Sequence, residues 1–372
     1  MHKNEDNLKR LLQNILGLLL LFPQFTSAKN DSVHWTGGEW WAKHSFYVLP
    51  TIDYTPETDW TFGLAGANYF KVNKAQKTSA VTYAAQYALN RQYAINANTK
   101  LYWGKNNFLY ASLSIGKFPD YFYGIGNQIN ALLPNPEMYD PIRLQLKLQP
   151  QWSVGQNWMM GPALFLHYEK TKVSSSTLLT PEFCLWGLGL VTSYDSRDNN
   201  FYPQHGTFFK TVITCTEPSF GATCRAVQLQ TDLRHFISID PCVLALQFYA
   251  DMLYLSDTIP QILPTIGGSD IARGVRRGMW RDDMAVALQA ELRIPIWKFI
   301  KAAVFGNVAD VYNWKHWKWT TPKVGYGAGI RVGFNQAKVN IRLDVARNNY
   351  GDWKNFANPH TWHFYLTATE AF

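Results

Sequence analysis

Between Gly267 and Pro295 the chain reads GGSDIARGVRRGMWRDDMAVALQAELRIP. These residue types set up charge pairing rather than turnover. Arg273, Arg276, Arg277 and Arg281 stand in a run punctuated by Gly267, Gly268, Gly274 and Gly278. The segment that follows alternates: Val286, Leu288, Ala290, Leu292 and Ile294 against Ala285, Ala287, Gln289, Glu291 and Arg293. A period of two is a strand with one apolar and one polar face. A loop guanidinium beside the Glu291 carboxylate forms a charge-assisted contact of the bidentate kind. The other reading leaves Arg273 as one of several solvated loop arginines. Nothing elsewhere reads as catalytic. The nine histidines are scattered, with no Ser-His-Asp, paired-carboxylate or HExxH spacing. Asp195, Arg197 and Asp198 read as a turn with a local ion network. A non-enzyme without cofactor or metal is expected. The four cysteines, Cys184, Cys215, Cys224 and Cys242, lack metal-ligand spacing. Cys215 and Cys224 bracket a loop, TEPSFGAT, and either pair across it in an oxidising compartment or stay as free thiols.

The elements that position these groups read as strands throughout. Hydrophobic residues make up 47% of the chain, aromatics 15% and charged residues 17%, an aromatic-rich and charge-poor balance for a soluble domain. A mean hydropathy of −0.21 speaks against a helical membrane bundle. Only residues 11–22 form a concentrated apolar run, short of the ~18 a spanning helix needs. Residues 1–28 read as a secretory signal: basic Lys3, Lys9 and Arg10, the apolar run, Pro23, then small Thr26-Ser27-Ala28. An uncleaved anchor is the other reading. A short segment, 29–43, leads into 44–372. There, strands are expected at 44–54, 59–72, 79–91, 94–104, 108–118, 140–154, 157–171, 184–197, 206–216, 223–238, 242–255, 284–296, 301–312, 323–335, 338–348 and 360–372. Sixteen alternating strands after a secretory signal favour an all-β, antiparallel transmembrane barrel over a soluble sandwich.

Two strands show the alternation clearly. In 324–334, Val324, Tyr326, Ala328, Ile330, Val332 and Phe334 oppose Gly325, Gly327, Gly329, Arg331 and Gly333. The glycine face either clears lumen space for a folded-in loop or allows curvature; the two are compatible. In 338–346, Val339, Ile341, Leu343 and Val345 oppose Asn340, Arg342 and Asp344. Net charge is +8. The charges are spread and no nucleic-acid motif accompanies them, so a basic lumen and loops are expected and nucleic acid is not. Trp314, Trp317 and Trp319 interleave with Lys315, His316 and Lys318. That mixture suits a lipid headgroup layer, with a stacking platform for bases or sugars as the alternative.

Gly-Gly, a spacer, Arg-Gly, then a strand carrying Glu-Leu-Arg-x-Pro resembles the sixth extracellular loop and twelfth strand of the Omp85 superfamily, the BamA/TamA-type or surface-antigen-D15-type outer-membrane barrels. The resemblance implies that the extracellular loop folds into the lumen. Its tip, Arg273-Gly274, then locks on Glu291, with Val275 where the family has an aromatic. Phe305 matches the family's wall aromatic. Asn307 replaces its wall aspartate and is expected to accept a hydrogen bond from Arg273, with Asp310 as a supplement. Pro119–Ile129 and Asp195–Gly206 resemble family loops, the latter a periplasmic turn. Tyr47–Gly63 resembles the first strand pair. Pro50 there either weakens the seam with the sixteenth strand or sits at a frayed position. Trp362, Phe364, Leu366 and Phe372 are expected to share a face of that last strand, and Phe372 to serve as the terminal aromatic of an assembly signal. Pro50, Phe364, Leu366 and Phe372 thus mark a lateral seam. The stretch between Lys29 and His44 has no room for a βααββ POTRA domain, so a barrel-only variant is expected. The implied function is insertion or translocation of protein or lipid at the bacterial outer membrane through that seam. Partners would be outer-membrane lipid, protein clients and accessory periplasmic or outer-membrane proteins, acting with a monomeric barrel. The alternatives are a passive structural barrel, surface antigen or narrow pore, or a scaffold or adhesin in a surface complex.

Overall fold

In the computed structural model, the alternating segments form strands that pair in chain order. The structure describes residues 42–55, 59–72, 75, 77–104, 106–127, 136–172, 178–317, 322–333, 340–349, 362–368 and 370–372. Residues 1–28, read above as a secretory signal, and Lys318, Trp319 and Phe334 lie outside them. The strands are β1 (Ala42–Thr55), β2 (Asp59–Lys71), β3 (Ser79–Ala88), β4 (Tyr93–Trp103), β5 (Asn107–Lys117), β6 (Asp120–Phe122), β7 (Glu137–Tyr139), β8 (Ile142–Ser153), β9 (Trp158–Lys170) and β10 (Glu182–Asp195). There follow β11 (Gly206–Thr216), β12 (Ala226–Ile239), β13 (Cys242–Leu255), β14 (Thr265–Ile266), β15 (Trp280–Arg281), β16 (Met284–Trp297), β17 (Ile300–Tyr312), β18 (Lys323–Gly333), β19 (Asn340–Asn348) and β20 (Trp362–Ala368). Sixteen form one antiparallel wall, in the order β1 to β5, β8 to β13, β16 to β20. The short pairs β6–β7 and β14–β15 sit within two of the loops.

The wall is inverted relative to a soluble protein. On β16, Leu288 is 57% exposed while its neighbour Gln289 is 5%, and Glu291 and Arg293 are fully buried. On β10, Leu188 and Leu190 are 58% and 62% exposed, whereas Val191 and Ser193 are buried. A soluble sandwich buries leucine and solvates arginine. A barrel in lipid does the reverse, with every backbone group paired around the wall. Among the described residues no helix is long and apolar enough to cross a membrane.

At one end of the wall the turn 196–205 folds inward. Asp195 lies 2.6 Å from Lys77 and 2.9 Å from Arg197. Burial works against the charge on Arg197, but Asp195 beside it holds the guanidinium above its ordinary value. Asp198 instead accepts the backbone N–H of Gln204, at 2.8 Å, and that of His205. The expected ion network is present, with Lys77 as its third member in place of Asp198.

Two expectations are corrected. All four cysteines are free. Cys215 is exposed on the outer face of β11, between inward Thr214 and Thr216, while Cys224 is buried against Phe183 and Leu185. The pair points to opposite sides of the wall. A thiol titration of the unfolded protein is expected to return four thiols, with the same gel mobility with and without reductant. A reductant-dependent shift would overturn that. The second correction concerns Phe372. Phe364 and Leu366 are exposed on the outer face, but β20 ends at Ala368, and Phe372 is 3% exposed, packed with Phe236 and Ala245 of β12 and β13. Glu370, also buried, is held by Arg331 and Asn340. Those polar contacts draw the segment inward, away from the seam.

Candidate functional site

The loop between β13 and β16 carries the site. Thr265 and Ile266 pair with Arg281 and Trp280, pinching its neck. The turns inside are tight. A Cβ on Gly267, at φ 105°, would meet the carbonyls of Val275 and Arg276 at 2.7 Å, so only glycine fits. Ile266, Ala272, Val275 and Trp280 are fully buried against Ala285 and Ala287 of β16 and Ala309 and Val311 of β17. Small wall residues make room for the loop's own apolar side chains. Val275, where the family carries an aromatic, packs in this core.

Arg273 is carried into the lumen and fully buried. Its terminal nitrogens lie 2.7 Å from Glu291 Oε2 and 2.7 Å from Asp344 Oδ2. The guanidinium carbon stands 3.6 Å from the centre of the Phe305 ring, so the stacking partner is the wall aromatic. The loop's main chain is gripped as well. Asn307 Nδ2 donates to Arg273 O at 2.8 Å, Asn348 Nδ2 donates to Gly274 O at 2.8 Å, and Gly274 N–H donates to the Tyr365 hydroxyl at 3.1 Å. Gln289 takes the Ala272 N–H and donates to Asp270 O.

The charges behind Arg273 form one network. Glu291 also binds Arg293 at 2.8 Å and Arg331 at 2.9 Å. Arg331 reaches Asp344 and Glu370. Arg342 reaches Asp344 at 3.5 Å and the loop's Asp270 at 3.3 Å. The four guanidinium groups and the carboxylates of Glu291 and Asp344 are fully buried. Burying such charges is costly, and the arrangement holds only while each keeps its partners. It therefore specifies one loop position rather than adding bulk stability.

The wall clears space where the loop lies. A Cβ on Gly325 would stand 2.0 Å from Arg273 O, and one on Gly329 2.0 Å from Asp344 Oδ1. The glycine face of β18 is therefore occupied by the loop and its charge network.

Of the residues singled out in the sequence, Gly267, Gly268, Arg273, Gly274, Glu291, Phe305 and Asn307 all belong to this one loop and the wall against it. Asn307 donates to the loop's main chain instead of accepting from the Arg273 side chain. Asp310 does not join the lock; it holds Lys323 at 2.6 Å. Arg293 stands in the motif without an assigned role, and Asp344, Arg331, Arg342, Glu370 and Tyr365 are members the motif does not name. For Arg331, Arg342 and Asp344 the signal was the inward parity of charged residues on β18 and β19; Tyr365 and Glu370 carried none. Pro50, Phe364 and Leu366 lie on the two strands that end the wall order, β1 and β20.

Comparison with known proteins agrees with this geometry. The chain is similar over 88% of its length to BamA from Haemophilus ducreyi lacking POTRA domains 1-3, at 12% identity, covering 70% of that chain with a TM-score of 0.56. It is similar over 83% of its length to CdiB from Acinetobacter baumannii, at 10% identity, covering 62% of that chain with a TM-score of 0.50. No curated protein matches it in sequence. Residues 68–372 match the model of the Omp85 superfamily domain. With that match over most of its length and a sixteen-stranded wall around an inward loop, the chain belongs to the Omp85 superfamily.

Proposed function

We propose that this protein resides in the bacterial outer membrane and assists insertion or translocation of protein or lipid through the seam between β1 and β20, without catalysing a covalent reaction. One observation carries the reading. β1 and β20 are the two ends of the wall order, each paired along its length with one neighbour in sequence, β2 and β19. An end strand whose ladder opens offers backbone groups as a template for an incoming strand. Pro50 adds to this. Pro50, opposite Leu64 in the β1–β2 register, has no N–H to donate, and prolines within sheets concentrate on edge strands. Partners on this reading are outer-membrane lipid, protein clients bearing β-strands, and accessory proteins at the membrane.

Depletion followed by quantitation of folded outer-membrane proteins and surface lipid tests it. Loss of either, restored by the wild type but not by a variant with β1 and β20 cross-linked through introduced cysteines, is the expected result. An unchanged envelope, or full rescue by the sealed variant, would remove the seam from the function.

A further inference from the structure

The lumen has two unlike halves. On the β16–β20 side it is filled, and the lock arginines are fully buried. On the β4–β12 side, inward cations keep access to solvent. Lys100 of β4 shares the face of buried Tyr102, opposite 47%-exposed Ile95, yet Lys100 is itself exposed. Lys147 of β8 shares the face of buried Gln149 and Gln151, and it too is exposed. Lys210 of β11 lies on the face of buried Val212, half-buried, with its ammonium 4.7 Å above the Tyr110 ring. Arg277, exposed on the inward loop, lines with Lys147 a cavity of about 440 Å³ whose wall also carries Asp251 and Asp270. An inward residue that remains exposed faces open lumen.

None of these four cations has a carboxylate at ion-pair distance among the described residues. The nearby acids are already engaged. Asp232 is bound to Arg234 and Gln247, and Asp270 to Arg342. Asp251 accepts from Gln228 and Gln230 at 2.8 and 2.9 Å and is the one carboxylate there without a cation at ion-pair distance. The cations lie within one another's field and that of two acids: Lys210 near Lys147, Asp232, Lys100 and Arg234, and Lys147 near Asp251 and then Arg277. They are also spread along the wall. Lys100 and Lys210 lie towards the end that bears the 196–205 turn, Lys147 lies midway along β8, and Arg277 stands on the loop from the opposite end.

We propose that this open half-lumen is an anion-selective aqueous path, lined by Lys100, Lys210, Lys147 and Arg277. Rings or ladders of Lys and Arg exclude cations and draw small anions. The path is independent of the seam, since none of its residues lies on β1 or β20.

The test is the reversal potential of the full-length protein, refolded into a planar bilayer under a KCl gradient. Folding is checked by heat-modifiable gel mobility. The wild type is expected to reverse with the sign set by chloride, and the K100Q/K147Q/K210Q variant to lose roughly half or more of that potential. Selectivity should also weaken between 0.1 and 1 M salt, where the screening length falls from about 10 to about 3 Å. If the triple variant does not fold, K147Q and R277Q each give a smaller shift in the same direction. A cation-selective wild type, a folded barrel that passes no current, or lysine variants with an unchanged reversal potential would each overturn the proposal.

Discussion

A Glu291→Ala variant is expected to be destabilised by about 3–5 kcal/mol, the range for removing one partner of a buried ion pair, and by clearly more than Arg273→Ala. The reason lies in the charge balance of the lumen. Arg273, Arg293, Arg331 and Arg342 face Glu291, Asp344 and Glu370; Glu291 contacts Arg273, Arg293 and Arg331, and Asp344 contacts Arg273, Arg331 and Arg342. Removing Glu291 leaves its three buried cations with fewer anions than before, and the desolvation cost of each is no longer offset. Removing Arg273 moves the cluster the other way. Glu291 keeps Arg293 and Arg331, and Asp344 keeps Arg331 and Arg342. The Arg273→Ala barrel should thus stay folded with a loosened loop, whereas Glu291→Ala should lower the unfolding midpoint. The measurement is a urea titration of the refolded barrel in detergent or lipid. A Glu291→Ala/Arg331→Met double variant should lose less than the single Glu291 variant, because one stranded cation goes with its anion. Equal losses for Glu291→Ala and Arg273→Ala would mean that the network is no unit and that the motif pair acts alone.

How far this site is legible in the sequence follows from what each signal encodes. Period-two alternation is local, so the sixteen wall strands can be placed to within a few residues. The exception is β20, which ends at Ala368 rather than running on to Phe372. The loop tip and Glu291 are legible because they stand close together in one motif. Asp344 is not. It meets Arg273 across 71 residues of chain, and before the barrel curls around, it is one inward aspartate among several. Arg331 and Arg342 are equally anonymous on the polar faces of their strands. Asn307 shows a different limit. Its place facing the loop is legible, but an amide both donates and accepts, and only the position of Arg273 O decides which. The direction of Phe372 depends on Glu370 meeting Arg331 and Asn340, contacts that no local pattern announces.

The second large effect concerns space instead of charge. Gly325→Val is expected to expel the loop tip from the wall while leaving the strands in place. Even a single Cβ at this position would stand 2.0 Å from Arg273 O and 2.9 Å from both ends of the Asn307 amide. The carbonyl belongs to a main chain pinned by Asn307, Asn348 and Tyr365, so it cannot step aside without breaking those bonds. Overpacking of this kind costs about 1–3 kcal/mol or more, and here the strain falls on the loop, which has somewhere to go. Gly333 supplies the control on the same strand: its Cβ would find its nearest neighbour at 3.5 Å, ordinary contact, so Gly333→Ala should be neutral. Limited trypsin digestion of the refolded barrel separates the two outcomes. Arg273 is fully buried in the wild type and should resist cleavage, as it should in Gly333→Ala, whereas Gly325→Val should be cut after Arg273 while the wall keeps its heat-modifiable mobility. If the tip of Gly325→Val stays protected with stability unchanged, the glycine face does not hold the loop and its role reduces to curvature. If the barrel itself fails to fold, the loop and the wall form together as one unit. Arg273→Ala, which removes the grip without adding bulk, would then have to expose the same cut site in a folded wall for the lock to stand.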